Sequence, residues 1–282
     1  MNSSPLAAPF GALVELEGTG DGAELGRLLA EHGLLVLRGR EITREHQIEL
    51  VAQLGRVEPD ANGEPMMMLV TNQQDDSTAP EGELVFHYDY AYDPEPITAI
   101  SMYGLEISAG VTPTRFASSS RVLSQLRPEL VARLEGREAA HACFLQRPEA
   151  PDQRSVEPEP LLQRGEEDWG PEHWWAHHPA IWKSAAGTPT LFLCLQHTDR
   201  ILGIPREESD ALLREIYTRM YHPDAVYEHA WQPMDLVIWD NLTVQHARPE
   251  PNALPRTLRR FHVSECDLTE EYLRVGRAHG FL

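Results

Sequence analysis

The last third of the chain alternates short apolar runs with turn residues, and that pattern limits the fold more than any other feature. Leu236-Val237-Ile238-Trp239 reads as a strand, Asp240-Asn241 as a turn and Leu242 to His246 as a second strand. Leu258 to Val263 follows as another. Residues 11–16, Leu34 to Leu37, Ile97 to Ile107 and Leu191 to Leu195 read the same way. Leucines at 25, 28 and 29 predict a helix from Asp21 to His32, which Gly33 stops. Thr43 is placed to cap a second helix that ends near Gly55. Ser118 to Ser120 open a third, with apolar positions from Val122 to Leu134, and Glu207 to Tyr221 form a fourth. Many short strands with a few helices predict a mainly β fold with flanking helices, a barrel or jelly roll. The 282 residues show no internal repeat and no domain break, so a single domain over 1–282 is expected.

Two segments stand apart. Residues 59–83 are irregular and polar, with Met66 to Met68 in the middle, and read as a lid-like loop. Residues 147–179 are rich in Pro and Glu yet carry Trp169, Trp174 and Trp175, and read as an insertion.

Composition excludes several functions. The net charge is −20, a field that repels nucleic acid and anionic membranes. No apolar run approaches the length of a membrane span. The opening residues lack a basic stretch followed by an apolar core, so no secretory signal is expected. Cys143, Cys194 and Cys266 are odd in number and lack metal-type spacing, and free thiols in a reducing cytoplasm are the simplest reading. What remains is a small-molecule enzyme or binder whose anion sites must be built locally from arginines.

The chemistry is concentrated in Val85-Phe86-His87-Tyr88-Asp89-Tyr90. Read as a strand, the stretch projects His87 and Asp89 to one side and Phe86, Tyr88 and Tyr90 to the other. An imidazole and a carboxylate side by side make two-thirds of a two-histidine, one-carboxylate triad, which leaves coordination positions open and suits Fe(II). His246, at the end of its predicted strand, is the candidate third ligand. His197 is a rival because it follows an apolar strand, and His177, His178, His222 and His229 are further candidates. The arginines favour His246. Arg256 lies ten residues beyond it and Arg260 four beyond that. On one strand these two share a face, roughly 13 Å apart. An inward guanidinium grips a carboxylate with paired hydrogen bonds. That is what a keto acid chelating a metal needs at its far end.

These motifs together resemble the taurine dioxygenase (TauD/TfdA-like) family of Fe(II)/2-oxoglutarate-dependent oxygenases. The resemblance rests on Phe-His-Tyr-Asp at 86–89, Gly-Val-Thr-Pro-Thr at 110–114 and His178-Pro179. It also rests on Trp231-Gln232-Pro233 with Asp235, Trp239-Asp240-Asn241 ahead of His246, and the Arg256/Arg260 pair, and so spans roughly residues 10–265. It implies a double-stranded β-helix (jelly roll, cupin-like) core. It implies His87, Asp89 and His246 as iron ligands, and Arg256 with Thr114 as the anchor of the distal carboxylate of 2-oxoglutarate. It implies Arg260 as a contact for an anionic group of the substrate. Fe(II), 2-oxoglutarate as cosubstrate, and dioxygen follow as requirements. The activity implied is decarboxylation of 2-oxoglutarate coupled to oxidation of a C–H bond in a small or mid-sized metabolite. Related halogenases replace the carboxylate by a small residue, so Asp89 speaks for oxygenation. Family members are often dimers or tetramers, which allows a homo-oligomer.

The chain departs from the family pattern where taurine would bind. Glu58-Pro59 stands where the family has a sulfonate-binding histidine before a proline, and Glu83 or a neighbour stands where it has an asparagine. Carboxylates there repel a sulfonate and attract a cation. The expected substrate is therefore not taurine, but a larger molecule bearing an amine or a neutral face. Two other classes compete: a non-catalytic metal- or ligand-binding jelly roll, which would be favoured by a missing ligand, and a zinc hydrolase, which leaves Arg256 and Thr114 unexplained.

Overall fold

The computed structural model describes residues 1–15, 22–60, 62–73, 83–143, 174–184, 186–250, 252–265 and 273. Most of the expected insertion, with Trp169, and the later part of the expected lid, 74–82, lie outside the described residues, as does Cys266.

Two sheets face each other. The larger runs in the order Asn2–Pro5, Ala12–Glu15, Leu34–Leu37, Leu236–Asp240, Ala99–Ile107, Arg256–Ser264 and Arg56–Val57. Met68–Thr71 also pairs with Arg256–Ser264. The smaller sheet runs Val226–His229, Thr114–Ser118, Val244–Arg248 and Leu84–His87. Pairing is antiparallel except where Ala12–Glu15 meets Leu34–Leu37. Between the sheets lies an apolar layer drawn from both: Ile100, Val237, Trp239 and Leu258 from one, Phe116 and Val244 from the other. This is the mainly β jelly roll, with helices covering its outer faces.

Period-two alternation explains why some strands read as continuous apolar runs. Leu34 and Val36 enter the layer between the sheets, whereas Leu35 and Leu37 join the opposite cluster under helices Gly22–His32 and Arg44–Val51. Leu236–Asp240 divides in the same way. The smaller sheet is backed by helices Ser119–Gln125, Pro128–Leu134 and Arg206–Met220. Thr43 caps its helix by accepting from the His46 N–H, and Ser118 caps the next by accepting from Arg121 N–H.

Several expectations need correction. The helix expected from Ser118 to Leu134 breaks in two because Leu126 and Arg127 turn extended ahead of Pro128. Leu191–Leu195 is a strand only as far as Leu191. The lid region is not wholly irregular, since Met68–Thr71 is a strand and Met68 is buried. Trp175–Pro179, at the end of the expected insertion, pairs with Glu138–Ala142, a strand that was not expected. The strand around His87 stops at His87 rather than Tyr90, because Tyr90 has φ +58° and turns the chain.

Candidate metal and 2-oxoglutarate site

The first candidate ligand is placed by a strand register. His246 sits opposite His87 across the pair formed by Val244–Arg248 and Leu84–His87, with ring centroids 4.1 Å apart. Asp89 lies just past the end of its strand and reaches back. Asp89 Oδ1 is 3.3 Å from His87 Nε2 and 3.7 Å from His246 Nε2. The side chain of Asn241 holds this short excursion in place. Its Oδ1 accepts from the Asp89 N–H at 3.1 Å, and its Nδ2 donates to Asp89 O at 3.0 Å and to Ile97 O at 2.9 Å. The Trp-Asp-Asn motif is thus the clamp of the carboxylate turn.

His87, Asp89 and His246 bring one ligand atom each within 4.8 Å of one another, the only such cluster of three among the described residues. The donor set fits a divalent metal. The His87 Nδ1 lies 2.7 Å from Val85 O, so it carries the proton and leaves the Nε2 lone pair facing Asp89. His246 has no such support among the described residues: its Nδ1 is buried without a hydrogen-bond partner. Burial first, then the neighbouring His87, pushes His246 well below the usual imidazole range and so keeps it neutral. Burial pushes Asp89 up, but the charge of Arg260 and the hydrogen bond from His262 outweigh it and hold the carboxyl well below its ordinary range. A neutral His246 beside an ionised Asp89 suits a metal, which needs its ligands deprotonated.

The other sequence candidates fall into place around this cluster. His197 lies beside it, its ring edge-on to His87 at 6.0 Å, with Nδ1 3.2 Å from Ala142 O. His178 reaches the backbone of Asp93 at 2.9 Å, and His229 lies 3.1 Å from Asp235. His222 flanks the Pro223–Ala225 turn. His177, on the same strand as His178, lies outside the three-residue cluster. Asp235 also accepts from both Nε and Nη2 of Arg38, at 3.0 and 3.2 Å, so the Trp-Gln-Pro motif with Asp235 is a braced turn.

Arg256 opens the long strand Arg256–Ser264 and points inward. Its Nη2 donates to Thr114 Oγ1 at 2.9 Å, and Trp231 Nε1 donates to the same oxygen at 3.0 Å. The guanidinium lies over the Trp231 ring, 5.9 Å from its centre. The Arg256 Nε is buried with no hydrogen-bond partner among the described residues. A buried cation with an unused donor fits the far carboxylate of a keto acid. Burial, then the charge of Arg248, pushes its pKa down to about 9.

Arg260, on the same face, donates from Nη1 to Asp89 Oδ2 at 3.1 Å and from Nη2 to Met68 Sδ at 3.3 Å. The inward alternation of this strand survives because the bulge lies in its neighbour: Thr257 faces Glu106 and Leu258 faces Gly104, so the extra residue is Leu105. Glu58 was expected at the substrate, and the structure packs it against His262. It is buried, and its Oε2 lies 3.0 Å from His262 Nδ1. His262 Nε2 lies 2.9 Å from Asp89 Oδ2, so His262 bridges two carboxylates, and their pull holds its pKa above the usual value despite burial. Glu83 is half-buried at the start of the strand that ends at His87. His262 went unnoticed as a site residue, although it shares the face of positions 256, 258 and 260. No sequence pattern links it to Glu58.

The family model described as taurine catabolism dioxygenase TauD, TfdA family matches residues 2–262. The chain belongs to the TauD/TfdA family. Among its TauD/TfdA relatives is an (S)-phenoxypropionate/alpha-ketoglutarate-dioxygenase of Sphingobium herbicidovorans, 27% identical over 260 residues, covering 86% of this chain and 87% of the relative. Pentalenolactone F synthase of Streptomyces arenae is 26% identical over 291 residues, covering 95% and 96%. Among solved structures, AAD-2 in complex with Mn(II) and N-oxalylglycine superposes with a TM-score of 0.76 at 20% identity, covering 95% of this chain and all of that one. The TauD/TfdA assignment carries dependence on Fe(II), 2-oxoglutarate and dioxygen, and no helix among the described residues is long and apolar enough to cross a membrane.

Proposed function

We propose that His87, Asp89 and His246 bind Fe(II), that Arg256 with Thr114 anchors the distal carboxylate of 2-oxoglutarate, and that the substrate is a small or mid-sized molecule with an apolar, aromatic or otherwise neutral face. The observation that carries this reading is the meeting of three distant ligand atoms within 4.8 Å, with a buried guanidinium on an adjacent sheet. When bound, iron and the keto acid supply the oxidising power that couples decarboxylation of 2-oxoglutarate to C–H oxidation. The chain itself positions and shields. His87 and His246 present ring nitrogens, Asp89 balances the metal charge, and Arg256 holds the keto acid at one fixed reach from the three ligands.

The walls beside the ligands support the neutral face. Tyr92 packs edge-on to His197 at 4.9 Å and stacks against Trp174 at 6.0 Å, and Tyr90 packs edge-on to His262 at 5.5 Å. Glu58 is 3% exposed and its Oε2 is held by His262. The relative named for phenoxypropionate is consistent with aromatic walls. The buried, unbridged thiol of Cys194 supports a reducing, cytoplasmic setting. Succinate release over a panel of aryloxyalkanoates, aromatic amino-acid derivatives and taurine tests the substrate class. Turnover with an aromatic member and none with taurine is expected; taurine-dependent succinate formation above that of every aromatic member overturns it.

A further inference from the structure

We infer that Glu58 and His262 form an outer positioning pair that makes Asp89 bind the metal through one oxygen only. This rests on the iron reading above and adds two residues to it.

The two oxygens of Asp89 have different company. Oδ1 faces His87 and His246. Oδ2 receives two donors, Arg260 Nη1 at 3.1 Å and His262 Nε2 at 2.9 Å. Both in-plane lone pairs of Oδ2 are thus taken, and chelation through both oxygens would break at least one charge-assisted hydrogen bond in a buried site, where such bonds are strongest. His262 is in turn fixed from behind. Its Nδ1 meets Glu58 Oε2 at 3.0 Å, and the ring of Tyr90 stands edge-on to it at 5.5 Å. The main chains add a second tie, since Glu58 N–H donates to His262 O at 3.0 Å and Met66 N–H donates to Glu58 O at 2.8 Å. His262 is 1% exposed and Glu58 3%, so water does not compete for these bonds.

The consequence is a matter of coordination number. A six-coordinate metal with three single-atom protein ligands keeps three positions: two for a chelating keto acid and one for dioxygen. An Asp89 that swings onto the metal with both oxygens takes one of them. The Glu58–His262 pair keeps that position open without touching substrate, cosubstrate or metal. Ligand-orienting partners of this kind are worth about 10–100-fold in metal affinity.

The test compares wild type with His262→Leu and Glu58→Gln, anaerobically, by Fe(II) titration and by the weak visible charge-transfer band that forms on adding 2-oxoglutarate. Melting of the metal-free proteins serves as the structural control. Expected for His262→Leu are an Fe(II) dissociation constant raised about 10–100-fold and a weakened, shifted band. Glu58→Gln keeps an acceptor for His262 and shows the same changes at about the lower end of that range. A purely structural pair would lower the melting temperature and leave band and affinity as in wild type, and that result in folded variants overturns the inference. If His262→Leu does not fold, Glu58→Gln decides by the same criteria. A wild type that forms no band overturns the iron reading and this inference together, whereas a wild-type band that both variants reproduce overturns this inference alone.

Discussion

Replacing Arg256 by Met should raise the stability of the ligand-free protein and abolish its response to 2-oxoglutarate. Arg256 is buried, and its side chain makes one hydrogen bond, to Thr114, among the described residues. The fall of its pKa from 12.5 to about 9 is the burial cost of the charged form, first from lost hydration and then from Arg248. At about 1.4 kcal/mol per pH unit this gives an upper figure of roughly 5 kcal/mol. At neutral pH the guanidinium is charged in both folded and unfolded chains, so the whole cost is present in the folded state. Methionine fills similar space without charge. The substitution loses the bond to Thr114, about 1 kcal/mol, and the contact with the Trp231 face, about 0.5–1 kcal/mol. Trp231 N–H still satisfies the Thr114 hydroxyl. Allowing for relaxation around the charge, a net gain of about 1–3 kcal/mol follows. That is a rise of about 2–4 °C per kcal/mol in melting temperature. With Mn(II) present, 2-oxoglutarate at 100 times its dissociation constant stabilises the wild type by about 2.7 kcal/mol. The variant loses two charge-assisted bonds to the far carboxylate, each about 1.5–3 kcal/mol, and should show no shift at the same concentration. Thermal melts of both proteins, with and without 2-oxoglutarate, read both effects. A variant that melts below the ligand-free wild type and still responds to 2-oxoglutarate refutes the reasoning.

Asn241→Asp replaces a donating amide by an acceptor against two carbonyls, so urea unfolding should show a loss of about 2–4 kcal/mol, and metal affinity should fall about 10–100-fold as Asp89 loses its clamp. His178 is held neutral, its pKa pushed down to about 4, chiefly by burial. Between 6.5 and about 4 the unfolded chain binds the extra proton and the folded chain does not, so stability present in full above pH 6.5 is lost as pH falls through this window, by about 3 kcal/mol. His178→Gln should flatten the dependence of unfolding free energy on pH over that range; an unchanged slope contradicts the assignment. Gln245→Leu strips donors from Leu193 O and Ser119 and the acceptor from Tyr221, and should cost about 2–4 kcal/mol in unfolding free energy while leaving the metal ligands in place.

Much of the site was legible because its signals are local and periodic. The side-by-side His87 and Asp89, the apolar run into Trp239-Asp240-Asn241, and arginines an even number of residues apart on a strand can all be read along the chain. The inward face of Arg256–Ser264 came out as expected, since the bulge beside it falls in the neighbouring strand at Leu105. What was not legible depends on pairings far apart in sequence. The register that sets His246 opposite His87 is fixed by the sheet, not by either strand alone. Glu58 and His262 meet across 204 residues. Glu58 looked like a substrate group because an acidic residue before a proline carries no mark of the imidazole that turns it inward. Tyr90 reads as a strand residue by propensity, yet the tie between Asn241 and Asp89 sits where the chain turns back through φ +58°. The break before Pro128 was local and readable, and the apolar spacing across it masked the signal.

Anomalous diffraction from crystals soaked anaerobically in Fe(II) tests the central claim most directly. One strong peak is expected, about 2.1 Å from His87 Nε2, Asp89 Oδ1 and His246 Nε2 alike. A peak elsewhere in the molecule, or a peak on these residues ligated by both oxygens of Asp89 or by His197 in place of His246, would contradict it.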